Sequence, residues 1–407
     1  MSKYIKMGKK FFIFYAILSL SVFSNNIKKI ESGESHTLIL MENGKVFGFG
    51  WNESGQVING NSKNYKKIVE IKGIEDIVDI DAGDIHSIAL RKDGIVFAWG
   101  SDFSGQLGNP DFKNFHLPVI VKMKNGEILK DIIKVAAGWD FSVALKKDGT
   151  VWTWGENKYG QLGDGSYKNK YYPVCVKGSK GIGYLKNIVD IKAGAYHVLA
   201  LSKDGTVWAW GDNQYGQLGD GSFISRKYPV KVKNFSGNGE ISDIVKIECG
   251  AFHSCAINRK GEVLMWGKNM KGQLGDGTYE DRNLPVFVKN EESKGHLKEI
   301  VDISLGRNHT IALNKNGEIF VWGSNRYGQL GNEILKSSPF PVRVYLNGKP
   351  LNKIVKISAG GAFNVVLNQN GEIYLWGTNR VFIKGSEINR FPLKIAKFSF
   401  ILKNLTF

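Results

Sequence analysis

Apolar and polar positions along the chain alternate in short runs that are typical of β-strands. In one representative stretch, residues 188–191, 198–201 and 207–210 predict three short strands in succession. A fourth strand is predicted around Pro229 and Val230, with the proline at the start of the strand or on an edge, because proline cannot donate to a central ladder. The pattern therefore predicts a structural unit of four strands.

This unit recurs seven times at a nearly constant spacing. The copies share one template, Ile-Val-x-Ile-x-Ala-Gly-x-x-His, a small apolar run, Asp-Gly or Asn-Gly, and a second apolar run that ends in Trp-Gly, from which single copies deviate at single positions. The marker glycines, which precede x-x-His, are Gly33, Gly83, Gly138, Gly194, Gly250, Gly306 and Gly360. Their spacings of 50, 55, 56, 56, 56 and 54 residues leave no room for an unrelated domain. We therefore place the copies at starts near residues 27, 77, 132, 188, 244, 300 and 354, in one domain that covers residues 25–407.

Two aromatic positions complete the repeat. The tryptophans of Trp-Gly are Trp99, Trp154, Trp210, Trp266, Trp322 and Trp376, and the histidines of Gly-x-x-His are His36, His86, His197, His253 and His309. Most copies continue after Trp-Gly with Asn-x-x-Gly-Gln-Leu-Gly and a later Pro-Val. The terminal copies deviate, because Phe49 replaces the tryptophan in the first copy and the seventh stops matching after Asn379.

A glycine preceded by Asp or Asn separates the second and third predicted strands. The pairs are Asp93-Gly94, Asp148-Gly149, Asp204-Gly205, Asn316-Gly317 and Asn370-Gly371. Such pairs are the strongest short hairpin signal, because a type I′ turn requires positive φ at both central residues. The fifth copy uses Lys260-Gly261, a poorer sequence for this turn. We therefore expect type I′ hairpins.

The third strand of each copy is apolar on both faces. Trp208 and Trp210 share one face, while Val207 and Ala209 lie on the other. A strand of this kind must be sandwiched between layers. Seven such sheets hide their faces either in an open stack, which needs polar capping repeats, or in a ring, which has no ends. Neither terminal segment resembles a polar cap, so we predict an all-β fold, a seven-bladed β-propeller of four-stranded antiparallel blades.

Small residues recur six positions past the marker glycine, where neighbouring sheets would converge. They are Ala89, Ala144, Ala200, Ala256 and Ala312. The first and seventh copies carry Ile39 and Val366 instead, which we interpret as the seam where the ring closes. The tail, residues 391–407, is strand-like, and we expect it to help the termini meet.

The combined signature resembles the regulator of chromosome condensation repeat family over about residues 27–395, in all seven copies. The resemblance implies the propeller fold and a role in binding other proteins. The eukaryotic founder of the family exchanges guanine nucleotide on the Ran GTPase through a wedge inserted in one blade, and we match no loop of this chain to that wedge residue by residue. Some secreted bacterial relatives inhibit β-lactamases by covering the active site.

The chain is basic, with 55 lysines and arginines against 38 acidic residues and a formal charge of +17. Only nine of the basic residues are arginines, the side chain suited to bidentate phosphate recognition, and no dense basic run is present. We therefore predict no specific nucleic-acid partner and interpret the excess as solvated lysines. Polyanion binding with a steep salt dependence would indicate otherwise.

The first 24 residues have the pattern of a secretory signal peptide. Four lysines precede a thirteen-residue apolar stretch, residues 11–23, and Val22 and Ser24 suit cleavage after Ser24. Thirteen residues are too few for a spanning helix, which needs about 20. We expect a secreted, periplasmic or cell-surface protein without a stable membrane span after cleavage, or a cytoplasmic one if the leader is not used.

The five repeated histidines invite a catalytic or metal-binding interpretation. A catalytic residue is needed only once, so recurrence in phase favours a structural role such as a hydrogen bond to a neighbouring loop. Phe141 and Phe363 interrupt a ring of metal ligands. We therefore predict neither a metal nor a cofactor.

The remaining candidates for calcium binding, zinc binding and catalysis are better explained by structural roles. The aspartates of Gly-Asp-Gly, Asp164, Asp220 and Asp276, lack the spacing of a calcium loop and suit Asx turns. The cysteines Cys175, Cys249 and Cys255 have no zinc-ligand spacing and are interpreted as small buried apolar groups. No nucleophile, metalloprotease or paired-carboxylate signature is present, so we predict that the chain is not an enzyme.

Binding residues are expected where the copies differ. Tyr159, Tyr215 and Tyr327, before Gly-Gln-Leu-Gly, are candidate protein-binding anchors, although they could equally pack on the neighbouring blade. The polar connections between Pro-Val and the next copy form a second candidate surface. They are residues 177–187, 234–243, 289–299 and 345–353.

The preferred hypothesis is an exported bacterial interaction module, a monomer that binds another protein without catalysis. The alternative, by resemblance, is a guanine-nucleotide exchange factor for a small GTPase.

Overall fold

The computed structural model describes residues 27–57, 62–110, 117–332, 336–378 and 389–397. Within these residues the chain forms seven four-stranded antiparallel sheets that are arranged as blades around an axis. The fold class predicted from the sequence is therefore confirmed. The predicted signal peptide and residues 398–407 of the tail lie outside the described residues.

Each blade takes four successive strands from one continuous stretch of chain. Blade 1 contains β1 (Ile27–Ser32), β2 (His36–Met41), β3 (Val46–Gly50) and β4 (Tyr65–Glu70). Blade 2 contains β5 (Ile77–Ala82), β6 (His86–Arg91), β7 (Val96–Gly100) and β8 (Val119–Ile120). Blade 3 contains β9 (Ile132–Ala137), β10 (Phe141–Lys146), β11 (Val151–Gly155) and β12 (Lys170–Cys175). Blade 4 contains β13 (Ile188–Ala193), β14 (His197–Ser202), β15 (Val207–Gly211) and β16 (Arg226–Lys231).

The remaining blades follow the same order. Blade 5 contains β17 (Ile244–Cys249), β18 (His253–Asn258), β19 (Val263–Gly267) and β20 (Arg282–Phe287). Blade 6 contains β21 (Ile300–Leu305), β22 (His309–Asn314), β23 (Ile319–Gly323) and β24 (Ser338–Arg343), followed by the small hairpin of β25 (Tyr345–Leu346) and β26 (Lys349–Pro350). Blade 7 contains β27 (Ile354–Ala359), β28 (Phe363–Asn368), β29 (Glu372–Gly377) and β30 (Asn389–Lys397). A short 3-10 turn lies at Ser179–Gly181.

The hydrophobic core lies between the blades rather than inside any one of them. Trp154 and Ala144 of blade 3 pack against Ala98 of blade 2, whereas Val151, on the other face of the same blade, packs against Ile191 of blade 4. Strands that are apolar on both faces are thus buried on both faces, as the sequence predicted.

The ring closes between blades 7 and 1. Ile39 lies in the apolar cluster at this interface, together with Phe49 and Phe363. Val366 does not, because side chains at its position face the preceding blade, and it therefore packs against blade 6. The assignment of Val366 to the seam was wrong. The tail supplies β30, which pairs with β29, so blade 7 is completed by its own chain segment.

A belt of backbone hydrogen bonds joins the blades around the axis. In each blade the residue after the marker glycine donates its N–H to a carbonyl of the next blade, and Gly361 of blade 7 donates to Glu34 of blade 1 at 3.2 Å. This close approach requires glycine. A Cβ on Gly250 would lie 2.7 Å from the carbonyl oxygen of Gly306 and would also clash with the ring of His253.

The hairpins between the second and third strands are not of type I′. Gly94 has a φ of +84°, but Asp93 is not among the residues with positive φ. The N–H of Gly94 donates to Arg91 at 2.9 Å, and the N–H of Arg91 donates to Ile95 at 2.8 Å. These bonds define a three-residue loop, a type I turn followed by a glycine bulge. Asp93 suits this turn because its carboxylate accepts the N–H of Ile95, at 3.3 Å.

Candidate functional site

The two flat faces of the disc carry different loops. In an antiparallel blade, the turn between the first and second strands and the loop between the third and fourth emerge at the same end. We call the face with the Gly-x-x-His turns and the Gly-Gln-Leu-Gly loops the glutamine face. The opposite face, with the Asp-Gly hairpins and the connections between blades, is the hairpin face. Contacts within blades agree, since Trp51 N–H donates to Ser35 on the glutamine face.

The two surfaces that the sequence suggested for binding lie on opposite faces. Tyr159, Tyr215 and Tyr327 lie on the glutamine face, whereas the connections at residues 177–187 and 234–243 lie on the hairpin face. These connections resemble one another, since those that follow blades 2 to 5 each close with a single antiparallel bridge and that after blade 6 forms the β25–β26 hairpin.

The repeated histidines link neighbouring blades. His36 Nε2 lies 2.8 Å from the hydroxyl of Ser87 in the next blade, and that hydroxyl donates to the backbone carbonyl of Gln56 at 3.0 Å. The hydroxyl therefore accepts from His36, and Nε2 carries the proton. The same arrangement joins His86 to Ser142, His197 to Ser254, His253 to Thr310 and His309 to Asn364.

The backbone carbonyl of the same glutamine also accepts a hydrogen bond from the tryptophan of the next blade. Trp99 Nε1 donates to Gln56 at 2.9 Å, and Trp154 Nε1 donates to Gln106 at the same distance. We call the histidine, the hydroxyl or amide, the glutamine carbonyl and the tryptophan of one interface the interblade relay. It lies on the glutamine face, where it ties the loop of one blade to the strands of the next.

Burial keeps the relay histidines neutral. It lowers the pKa of His36, His197 and His253 to about 3 and that of His86 and His309 to about 4. Where Phe141 replaces the histidine, the facing residue is Val198 instead of a hydroxyl. The described stretches contain no group of three or more side chains that could hold a metal ion.

The aspartates of Gly-Asp-Gly are occupied by donors of the protein itself. Asp220 accepts the N–H of Ser222 at 2.9 Å and pairs with Arg226 at 2.8 Å. Burial opposes ionisation, but these donors hold the pKa of Asp220 below its usual value. Asp164 and Asp276 bind Ser166 and Thr278 in the same way.

The cysteines are free thiols. Cys249 and Cys255 are buried, but Cys175 is only half-buried because it lies on β12, the outermost strand of its blade. The description of Cys175 as a buried apolar group was therefore wrong.

An aromatic cluster lies beside the axis on the glutamine face. Trp139 packs edge-on against Tyr196 and Phe252, with ring centroids 5.3 and 5.4 Å away. Tyr159 and Tyr215 extend the cluster outward, 5.1 Å from Tyr196 and 5.6 Å from Phe252, respectively. All five rings are half-buried, so each packs on a neighbouring blade and still presents an edge to solvent. We call these five residues the aromatic cluster.

A basic groove adjoins this cluster over blades 5 and 6. It has a volume of about 730 Å³ and is lined by Lys268, Lys271, Arg307 and Arg326 together with Tyr327. On the side of blade 1 it is also lined by Glu34, whose carboxylate lies 3.1 Å from the Arg307 guanidinium. The Arg307 guanidinium lies 5.0 Å from the ring centre of Trp139, and Lys268 lies 4.8 Å from that of Tyr215. Burial, together with Arg307 and Lys271, lowers the pKa of Lys268.

Carboxylates lie on the other side of the aromatic cluster. Burial, reinforced by Asp84 and Glu156, raises the pKa of Asp140 to about 6. Burial also raises the pKa of Asp102 to about 6 and that of Glu156. We call Asp84, Asp102, Asp140 and Glu156 the acidic border. The glutamine face is thus bipolar, with aromatic rings between a basic groove and partly desolvated carboxylates.

The sequence reasoning missed Trp139, Tyr196 and Phe252. They occupy the x-x positions of Gly-x-x-His in three successive copies. An alignment of the seven copies would have marked them, since the other copies carry small or polar residues at most of these positions.

Comparison with known proteins places the repeat among characterised families. A family profile described as RCC1-like domain matches residues 16–293. Profiles of the regulator of chromosome condensation (RCC1) repeat match residues 300–329, 316–367 and 354–381. In the described part of the chain no helix is long and apolar enough to cross a membrane.

Curated relatives match over part of their length. The E3 ubiquitin-protein ligase HERC2 of Homo sapiens is 32% identical over 246 residues, which are 60% of this chain and 5% of that protein. The ultraviolet-B receptor UVR8 of Arabidopsis thaliana is 30% identical over 287 residues, 69% of this chain and 61% of that protein. The chain therefore spans less than two thirds of either relative.

Solved structures share the fold. Human WBSCR16 superposes with a TM-score of 0.69 and 26% identity, covering 84% of this chain and 87% of that one. Yeast RCC1 (Prp20), crystallised with Kap60, superposes with a TM-score of 0.71 and 20% identity, covering 93% of this chain and 86% of that one.

Proposed function

The chain belongs to the RCC1-like domain family, and from that premise we propose that it is a non-catalytic module, exported by a bacterium, that binds another protein through its glutamine face. The observation that carries the proposal is the aromatic cluster set between the basic groove and the acidic border.

The composition of this surface is that of a binding hot spot. Tryptophan, tyrosine and arginine dominate the energetics of protein interfaces, particularly where they are central and partly desolvated. Here Trp139 lies beside the axis with Arg307 over its ring, at 5.0 Å. Trp139 is packed against Tyr196 and Phe252, and Arg307 is paired with Glu34, so ordering these two side chains on binding costs little conformational entropy.

The charges restrict the partner. Lys268 is partly buried near the cations of Arg307 and Lys271, which Asp281 offsets only in part, so a carboxylate from a partner would stabilise the charged form of Lys268. The desolvated carboxylates of Asp140 and Glu156 favour a lysine or arginine of the partner in the same way. We therefore expect a protein partner that presents acidic residues over blades 5 and 6 and basic residues over blades 2 and 3.

The binding test uses the chain from residue 25 to 407, immobilised and exposed to proteins secreted by its host. The captured protein is identified and its affinity is measured for wild type, Trp139→Ala and Arg307→Ala. We expect each substitution to weaken binding at least tenfold. Phe235→Ala is the matched control, since Phe235 is an aromatic residue of the hairpin face that is 67% exposed. Loss of binding in the control alone would contradict the choice of face.

Export is tested separately. The proposal rests on the leader-like sequence before residue 25 and predicts a mature protein outside the cytoplasm whose N-terminus follows Ser24. Recovery of the intact leader in the cytosolic fraction would contradict it and would leave the cytoplasmic alternative.

Nucleotide exchange on a small GTPase is the alternative function. The connections on the hairpin face of blades 2 to 6 share one small hairpin-like form, so none of them stands out as a dedicated wedge. Acceleration of nucleotide release from a GTPase of the host by the purified chain would favour this alternative over simple binding.

A further inference from the structure

The connection from blade 3 to blade 4, residues 177–187, presents apolar side chains to solvent on the hairpin face. Ile182 is 79% exposed and Tyr184 is 51% exposed. An antiparallel bridge between Lys177 and Tyr184 closes the base of this connection, so Ile182 lies in its protruding end. A single exposed apolar residue is ordinary on a protein surface, so the surroundings decide whether it has a role.

The protruding end has a fixed shape. The N–H of Gly178 donates to the carbonyl of Gly183 at 3.0 Å, and the N–H of Ile182 donates to Ser179 at 3.2 Å. Leu185 of the same connection is buried, with 4% of its surface exposed. The exposed isoleucine is therefore carried by a folded loop, and placing it in an apolar environment costs little conformational entropy.

The same connection carries three lysines and no acidic residue. The lysines are Lys177, Lys180 and Lys186. Lys177 Nζ lies 4.6 Å from the ring centre of Tyr184, so this cation stands beside an exposed aromatic ring. Among the residues that the structure describes, none of the three lysines forms an ion pair. The connection is therefore both apolar and cationic.

Two Asp-Gly hairpins extend this basic surface. The N–H of Ile188 donates to Gly149 of blade 3 at 3.2 Å, and the N–H of Lys203 in blade 4 donates to Asn187 at 2.9 Å. Both hairpins therefore lie against the end of the connection, and they add the exposed side chains of Lys147 and Lys203. We call the combined surface the lysine patch. It consists of residues 146–150, 177–187 and 202–206.

The lysine patch keeps an excess of positive charge after its own carboxylates are counted. It contains six lysines and two aspartates. The carboxylates of Asp148 and Asp204 each accept a backbone N–H of their own hairpin at 3.0 Å. One lysine of the patch, Lys146, lies 3.7 Å from Asp131 of the preceding connection. The remaining lysines make the patch attractive to an anionic surface.

The combination of cations with a protruding apolar side chain favours a lipid surface over a nucleic acid. The phosphates of a nucleic acid would leave Ile182 in contact with water. The patch also contains no arginine, the side chain suited to bidentate phosphate recognition. At an anionic bilayer, by contrast, an apolar side chain enters between the headgroups while lysines reach the lipid phosphates, and the two weak contributions add.

We propose that the lysine patch docks on an anionic lipid bilayer, with Ile182 inserted between the headgroups and with Lys180 and Lys186 bound to lipid phosphates. The docking is peripheral, because only one connection enters the bilayer surface. The hairpin face lies opposite the glutamine face, so a bilayer bound here leaves the glutamine face open. Membrane docking is therefore independent of the proposed partner binding.

Vesicle flotation at physiological ionic strength tests the docking, with residues 25–407 and vesicles of phosphatidylcholine with or without phosphatidylglycerol. We expect at least tenfold tighter binding to the vesicles that contain the anionic lipid. Ile182→Ser and the double variant Lys180→Ala/Lys186→Ala should each weaken that binding at least fivefold.

Matched controls carry the same changes on the opposite face. Ile224→Ser removes an isoleucine that is 63% exposed in the glutamine-face loop of blade 4. Lys158→Ala/Lys168→Ala removes two exposed lysines from the glutamine-face loop of blade 3. Both controls should bind the anionic vesicles as the wild type does.

Insertion is measured with lipids that are brominated on their acyl chains, which quench tryptophan fluorescence at short range. On anionic vesicles Ile182→Trp should show more quenching than the wild type. Ile224→Trp, the matched control, should show the same quenching as the wild type.

Each variant is first checked for an unchanged circular dichroism spectrum. Equal binding of wild type and Ile182→Ser to anionic vesicles would overturn the proposal, since the interaction would then be electrostatic adsorption alone. Absence of wild-type binding to these vesicles would also overturn it. Retention on duplex DNA without vesicle binding would overturn it in favour of a nucleic acid.

Discussion

Single residues of the interblade relay change together along the chain. Where a blade carries histidine, the next blade presents a hydroxyl or an amide, and where blade 3 carries Phe141, blade 4 presents Val198. The seam is the exception, because Thr37 follows Phe363 and its hydroxyl bonds Ser32 within blade 1. The reason for the pairing is that a buried N–H without an acceptor is costly, whereas two apolar groups of matching shape are not. The histidine is thus one half of a pair whose other half lies more than fifty residues away.

This pairing predicts non-additive effects at the interface of blades 2 and 3. Ser142→Ala leaves His86 Nε2 without its acceptor, 3.0 Å away in the wild type, and should destabilise the fold by about 1–3 kcal/mol. The same substitution should cost less in a His86→Phe background, where no donor remains. Urea unfolding of the four members of this double-mutant cycle measures the coupling. Additive effects would show that the contact contributes nothing of its own.

At the scale of elements, the marker glycine decides how closely blades approach. Gly250→Ala places a methyl group against Gly306 and His253, so we expect a loss of about 3 kcal/mol or more in the free energy of unfolding. Gly295→Ala is the control, because its new Cβ would meet only Asn290, at 3.6 Å, without positive φ. That control should change stability by less than about 0.5 kcal/mol. Similar losses in both variants would contradict a steric role specific to the marker position.

The elements also show what the sequence could and could not reveal. Repetition made the four strands and their order predictable, because every copy reports the same pattern independently. The predicted hairpin type was wrong, because an aspartate before glycine suits both a type I′ turn and a type I turn with a glycine bulge. Only the sign of φ at Asp93 distinguishes the two turns. Val366 was wrongly assigned to the interface of blades 7 and 1, because the sequence does not indicate which face of a blade a side chain occupies.

The aromatic cluster could not be predicted from the sequence of any single copy. Trp139, Tyr196 and Phe252 are more than fifty residues apart in the sequence and meet only because three successive blades converge at the axis. The tyrosines were identified because they stand next to a recognisable motif. Residue type alone did not reveal that Tyr159 and Tyr215 are half-buried against a ring of the neighbouring blade.

At the scale of the whole molecule, the five neutral histidines affect stability together. Their folded pKa values lie at about 3 to 4, below the usual 6.5. As the pH falls below 6.5 the unfolded chain takes up these protons first, so stability present above 6.5 is lost progressively down to about pH 3 to 4. Asp102 and Asp140, with pKa raised to about 6, act in the opposite direction and offset part of the loss.

The contribution of one histidine to the pH dependence of stability is measured by comparing a variant that lacks it with the wild type. The double variant His86→Phe/Ser142→Val removes one relay, so its free energy of unfolding should fall less steeply between pH 6.5 and 4 than that of the wild type. The full effect of one histidine is about 1.4 kcal/mol per pH unit. Lys349→Met should follow the wild-type curve. Identical slopes in wild type and double variant would show that His86 titrates normally in the folded protein.

The contact between blades 7 and 1 differs in kind from the other six. Phe363 and Phe49 replace both the histidine and the tryptophan of the relay, whereas the interface of blades 3 and 4 loses only the histidine and keeps the Trp210 donor. Thr37 turns to Ser32 of its own blade, at 3.0 Å. Among the described residues, the first and last blades are joined by apolar packing and by the hydrogen bond from the Gly361 N–H to Glu34. A closed ring opens first at the interface with the fewest hydrogen bonds. Amide hydrogens of β1 and β27 should therefore exchange with deuterium sooner than those of β13 and β17. Transient opening of the propeller would then be confined to one place, the interface between its first and last blades.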